Sequence, residues 1–74
     1  MMTELGEFFN KKSINKAEVS RRTGINASRL SELSLNRKAR LTAEEVVLIA
    51  KAMDIEPSVL LMEVCKNVEL VSEK

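Results

Sequence analysis

Apolar positions along this chain recur with the 3.6-residue period of helices, in five short stretches separated by turn signals. In the first, over Glu4–Lys11, Leu5, Phe8 and Phe9 share one face while Glu4, Glu7 and Lys11 lie outside, and Gly6 weakens the helix. Ser13 and Ile14 make the connection, with Ile14 as a plug into the core. Asn15-Lys16-Ala17-Glu18 has the form of an N-cap followed three residues later by a glutamate, so a second helix begins at Lys16. It is expected to end near Thr23, with Gly24 just beyond and Val19 as its main core residue. Asn26 is a good N-cap for a third helix over 27–34, which Asn36 could close in the left-handed conformation that asparagine tolerates. Thr42-Ala43-Glu44-Glu45 is a full capping box opening a fourth helix, where Val46, Ile49, Ala50 and Met53 recur at i, i+3, i+4 and i+7. After the turn Asp54-Ile55-Glu56, Pro57 suits the first position of a fifth helix whose Val59, Leu60, Leu61 and Val64 face inward. From Lys66 the pattern decays, leaving a domain over 1–66 and a tail over 67–74.

The second and third helices meet at a tight corner. Ser20 is small enough for a close helix crossing, Gly24 can take the positive φ that ends the second helix, and Ile25 plugs the corner. This is the spacing of a helix-turn-helix, a unit whose second helix enters the DNA major groove. At about 100° per residue, Leu30 and Leu33 point one way, and Ser28, flanked by Ser31 and Glu32, points the other. Ala27 and Arg29 sit at the edges. The outward face is polar and short-chained near its start, able to approach a groove floor.

Charge sharpens the picture. The net charge is only +1, but residues 11–40 carry nine lysines and arginines against Glu18 and Glu32, a balance of +7, whereas residues 41–74 carry three against seven acids, a balance of −4. The basic third coincides with the helix-turn-helix, as a polyanion-facing surface requires. Residues 35–40 have no helical stripe and read as an exposed loop whose Arg37, Lys38 and Arg40 follow the third helix directly. Arg21 and Arg22 suit phosphate contact and simple solvation equally.

Hydrophobic content of 45% supports a core, but Phe8 and Phe9 are the only aromatic residues. That scarcity argues against base stacking on single strands or RNA and leaves duplex binding untouched. Cys65 is the sole cysteine and there is no histidine, so neither an intramolecular disulfide nor a cysteine-based or histidine-based metal site is expected. With no Gly-rich phosphate loop, and with Glu44 and Glu45 explained by helix capping, the chain reads as a non-enzyme without cofactor or small-molecule substrate. No apolar run approaches the roughly 20 residues of a membrane span, so a cytoplasmic protein with no membrane partner is expected.

The run 15–33, the Thr42 capping box, the segment Ile49-Ala50-Lys51-Ala52-Met53-Asp54-Ile55 and the ending Pro57-Ser58-Val59-Leu60-Leu61 together resemble the Cro/repressor-type DNA-binding family, also called the xenobiotic-response-element family. The resemblance covers roughly residues 8–62. It implies an all-α, five-helix lambda-repressor-like domain with the helix-turn-helix as helices 2 and 3. Carried over by position, it puts Lys16 where the family often has a glutamine contacting DNA, and a lysine there favours phosphate. Ala27, Ser28 and Glu32 match positions that commonly read base edges, and the wheel adds Ser31. Serine can bond several bases and glutamate can accept from cytosine N4. Asn15 and Asn26 are caps first, each able to bond a phosphate as well; Arg29 pairs with Glu32 in the free protein and swings to phosphate on DNA. The chain departs from the family pattern at Ser34, often a glutamate, at Asn36, commonly a glycine, and at Leu35, in a loop usually polar.

These readings lead to a sequence-specific double-stranded DNA-binding regulator, a repressor acting as a homodimer on an inverted repeat. In relatives, dimer contacts come from the loop before the fourth helix and from the fifth, which makes Leu35, Ile55, Met62, Val68 and Leu70 the candidates here. The alternative, from the acidic final third and its apolar tail, is a protein-interaction module of antitoxin-like or phage accessory type with secondary DNA binding.

Overall fold

Five helices form where their caps place them: α1 (Glu4–Lys11), α2 (Lys16–Thr23), α3 (Ala27–Leu35), α4 (Ala43–Ala52) and α5 (Pro57–Val64). A computed structural model describes residues 2–71, so Met1 and the last three residues of the expected 67–74 tail lie outside the described residues. The caps are the local kind that sequence reveals. Asn15 Oδ1 accepts from the Ala17 and Glu18 N–H groups, Asn26 Oδ1 accepts from Ser28, and Thr42 and Glu45 close a reciprocal capping box. Gly24 ends α2 at φ 79°, as the corner demands. Ser20 Oγ donates to the Ile25 carbonyl at 2.6 Å, tying the last turn of α2 to the residue that plugs the corner.

Apart from Phe8 and Phe9 of α1, the core is aliphatic. Leu5, Phe8 and Phe9 of α1 meet Val19, Leu30, Leu33, Val46, Ile49, Ala50 and Leu60, each buried, and Ile14, Ile25 and Met53 pack against them from the edge. This packing fixes the direction of α3: with Leu30 and Leu33 inside, its opposite edge has to face out.

One expectation is extended and two are corrected. Gly6 does more than weaken α1, because a Cβ built on it would lie 2.3 Å from the Ser34 carbonyl oxygen. Glycine is what lets α1 lie against the end of α3. Thr3 secures the same contact: its N–H donates to Ser34 O at 2.9 Å, and its Oγ1 donates to Leu33 O at 2.7 Å while accepting from Gly6 as N-cap. Asn36 is extended (φ −107°, ψ 109°), since α3 runs one residue past the expected end and the Asn36 side chain is used in an Asx turn, accepting from Lys38 N–H at 2.9 Å. Finally, Val59 and Leu61 stand half exposed on α5, where Leu60 alone is fully buried. An eight-residue helix crossing the end of a small core has one turn-wide stripe to bury, and Leu60 fills it.

Candidate nucleic-acid interface

The outward edge of α3 carries Ala27, Ser28, Ser31 and Glu32, all exposed. Asn15 and Asn26, also exposed, hold the starts of α2 and α3 through their side-chain oxygens, while Lys16 is half-buried at the first position of α2. Ser34 lies on the other side of α3, fully buried, its hydroxyl donating to Leu30 O at 2.8 Å. A glutamate at that place would be a buried carboxylate under the α1 contact; serine satisfies itself within the helix.

Arg29 stands at the centre of this surface. Its Nε donates to Glu45 Oε2 at 3.0 Å and its Nη2 to Glu45 Oε1 at 3.2 Å, a side-on pairing of two planar groups. Nη2 also donates to the Arg40 carbonyl at 2.9 Å, and Nη1 to Glu32 Oε1 at 3.2 Å. One guanidinium therefore joins the α3 edge, the basic loop and the start of α4. In the free domain Arg29 is thus occupied, and its pairing with Glu32 is one strand of a larger cluster. Glu45 also serves the capping box that the sequence predicts, where its Oε1 accepts from the Thr42 N–H at 2.9 Å. No sequence signal marks its second role, because the partner lies 16 residues away.

The loop cations divide. Arg37 leans toward α1, its Nη1 3.9 Å from Glu4 and its Nη2 3.5 Å from the Met2 carbonyl. Lys38 and Arg40 are exposed, and among the described residues neither makes an ion pair. Arg22, which sequence left between phosphate and solvent, donates to the Ala52 carbonyl at 2.8 Å and braces α2 against the end of α4. Arg21 pairs with Glu18 one turn back.

An exposed polar helix edge, a cation-rich loop tied to its flank and a glycine corner behind it meet in one short unit. The Cro/C1-type HTH DNA-binding domain model matches residues 4–65, more than half of the chain. The chain belongs to this family. The match spans all five helices, so the Cro/C1-type domain takes in all of α1 to α5. No curated protein and no solved structure matches the chain closely enough to be set beside it. Among the described residues of this Cro/C1-type domain, no helix is long and apolar enough to cross a membrane, and no three His, Cys, Asp or Glu side chains are grouped to hold a metal ion.

The cluster has a pH signature. The Arg29 guanidinium holds the Glu45 carboxyl below its ordinary 4.5 against the opposing effect of burial, aided by Thr42, and Glu45 in turn raises Arg29. Glu4 is lowered too, chiefly by the Asn67 side-chain amide at 2.7 Å, then by its own backbone N–H and Arg37. A carboxyl with a depressed folded pKa contributes stability above its unfolded pKa and loses it as pH falls through the folded value. The melting temperature of the Cro/C1-type domain is therefore expected to fall as pH drops below about 4.5. Glu45→Gln is expected to melt lower than wild type at pH 7 and to lose less on acidification. Thermal melts followed by circular dichroism across that range check both; parallel acid limbs would mean that the Arg29 contact adds nothing.

Proposed function

We propose that this protein is a sequence-specific transcriptional regulator, a repressor that binds an inverted repeat in duplex DNA as a homodimer. The observation that carries the reading is the exposed Ser28, Ser31 and Glu32 edge of α3, bordered by the loop that holds Lys38 and Arg40. Short polar side chains on a helix can reach major-groove base edges, with Ala27 beside them able to pack on a thymine methyl. Lys16, Lys38, Arg40 and Arg37 then supply phosphate contacts, with Asn15 and Asn26 at the groove edge, and these contacts fix the register without reading sequence. A repressor needs nothing more than occupancy of promoter DNA.

Support for the second copy comes from α5. Val59, Leu61 and Met62 are exposed, Met62 at 69%, so this helix is apolar on sides its own core does not cover. Leu61 also lines an open groove of about 350 Å³ with Leu41, Val64 and Val68. Leu35, Val68 and Leu70 are exposed as well, Leu70 at 97%, while Ile55 is half-buried and offers less. One recognition helix spans only a few base pairs, and two related by a two-fold axis double the reading.

Selection from a random duplex library is expected to return an inverted repeat with half-sites about one helical turn, roughly 34–36 Å, apart. Sedimentation equilibrium is expected to show a dimer for the wild type. Met62→Glu places a charge on both sides of a two-fold contact and is expected to weaken dimerisation by roughly a hundredfold or more. Full retention of the dimer in that variant would move the interface away from α5. Selection that enriches no duplex would leave the acidic final third, and protein binding, as the better account.

A further inference from the structure

Glu32 sets a problem for the DNA-binding reading. A carboxylate carried into a groove lined by phosphates is repelled, and an i, i+3 Arg–Glu pair on an exposed helix is by itself too weak to hold both flexible side chains in place. Here the arginine is already held. Of the five N–H groups of Arg29, one at Nε and one at Nη2 go to Glu45 and the second at Nη2 goes to the Arg40 carbonyl, before Glu32 is reached from Nη1. Glu45 is fixed in turn by the Thr42 N–H at the start of α4, where the helix dipole favours its charge. The side chain of Glu45 is 16% exposed, that of Arg29 32% and that of Glu32 48%, so the chain of contacts runs from a partly buried anchor to a reader at the surface.

From this geometry we infer that Arg29 and Glu45 are positioning residues for base reading: Glu45 locks the Arg29 guanidinium plane, and Arg29 takes Glu32 Oε1, leaving Oε2 to accept from the exocyclic amino group of a cytosine. The inference rests on the DNA-binding reading above and adds to it a specificity determinant in α4, outside the base-reading helix. Because the guanidinium is ordered before Glu32 joins it, the conformational cost of fixing Glu32 is shared rather than met afresh. Its positive charge also lowers the electrostatic cost of bringing a carboxylate between phosphates. Arg29 is then spent on Glu32 and does not count among the phosphate contacts.

The test compares wild type, Glu32→Gln, Arg29→Met and Glu45→Gln on the duplex that wild type selects from a random library, and on duplexes changed at each base pair in turn. Glu45→Gln keeps an oxygen for the Thr42 N–H and so preserves the α4 cap, which makes it decisive where Arg29→Met fails to fold. Glu32→Gln is expected to cut discrimination at one C·G pair by roughly tenfold. Arg29→Met and Glu45→Gln are expected to cut it at the same pair by about threefold or more, while discrimination at other positions and the salt dependence of binding stay as in wild type. Adding Arg29→Met to Glu32→Gln is expected to cost no further discrimination. An unchanged base preference in Glu45→Gln overturns the inference. So does a uniform loss of affinity in Arg29→Met with a salt slope shallower by about 0.9, the mark of a lost phosphate contact. A wild-type protein that selects no duplex overturns the DNA-reading function itself, an outcome separate from either of these.

Discussion

Gly6→Ala is expected to destabilise the domain by about 1–3 kcal/mol, although at an ordinary helical position the same change is favourable by about 1 kcal/mol. The two signs have different physical sources. Alanine lowers the entropy of the unfolded chain and suits a helix interior, which favours folding. In the folded domain its Cβ would sit 2.3 Å from the Ser34 carbonyl oxygen, a backbone atom that cannot swing aside as a side chain would. Relief requires α1 to lift away from the end of α3, and that strains the Thr3 bonds to Ser34 O and Leu33 O at 2.9 and 2.7 Å. Leu5, Phe8 and Phe9 enter the core from the same helix, so a shift of α1 is felt across it. For a domain of this size each kcal/mol lowers the melting temperature by about 4–8 °C. Denaturant titration and thermal melts of the two proteins measure the sign directly; a neutral or stabilised alanine variant would mean that α1 and α3 are not held at this distance.

Gly6 also shows where the sequence stops speaking. Its local meaning, a weak point in a helix, is visible from its neighbours; the carbonyl that requires it belongs to residue 34 and comes near only after folding. The same division runs through the molecule. The caps at Asn15, Asn26 and Thr42, the left-handed Gly24 and the Leu30/Leu33 face depend on partners two to four residues away, and all were legible. Arg29 to Glu45, Arg22 to Ala52 and Thr3 to Leu33 span 16, 30 and 30 residues and left no periodic trace. In the candidate interface the outward polar edge was therefore readable from the helix period, whereas the arginine cluster bracing it was not. Val59 and Leu61 failed for another reason: apolar character says that a side chain gains from burial and does not say whose surface covers it.

Replacing Arg37, Lys38 and Arg40 together by glutamine is expected to make the dependence of log affinity on log salt shallower by about 2–3 and to lower affinity near 0.1 M salt by roughly two to three orders of magnitude. Each phosphate contact releases about 0.9 of a counterion, so three lost contacts set both figures. Folding is not the cause of the loss. Arg40 holds Arg29 through its backbone carbonyl, which glutamine keeps, and Lys38 makes no ion pair among the described residues. Arg37 does have a protein partner, but its 3.9 Å pairing with Glu4 is long and exposed on the arginine side, so solvent screens it and its loss leaves the fold in place. That pairing orders the three cations: Arg37 must leave Glu4 to reach DNA, so Arg37→Gln alone is expected to cost less affinity than Arg40→Gln alone. Base preference is expected to survive in the triple variant, because Ser28, Ser31 and Glu32 are unchanged and the Arg29 contact to Glu32 is intact. Mobility-shift titrations at several salt concentrations separate the two effects, slope reporting phosphate contacts and the ratio between sites reporting base reading. Were the slope to stay as steep in the triple variant, the loop would face away from the duplex, and the α3 edge tied to it through Arg29 could not lie in the groove as described.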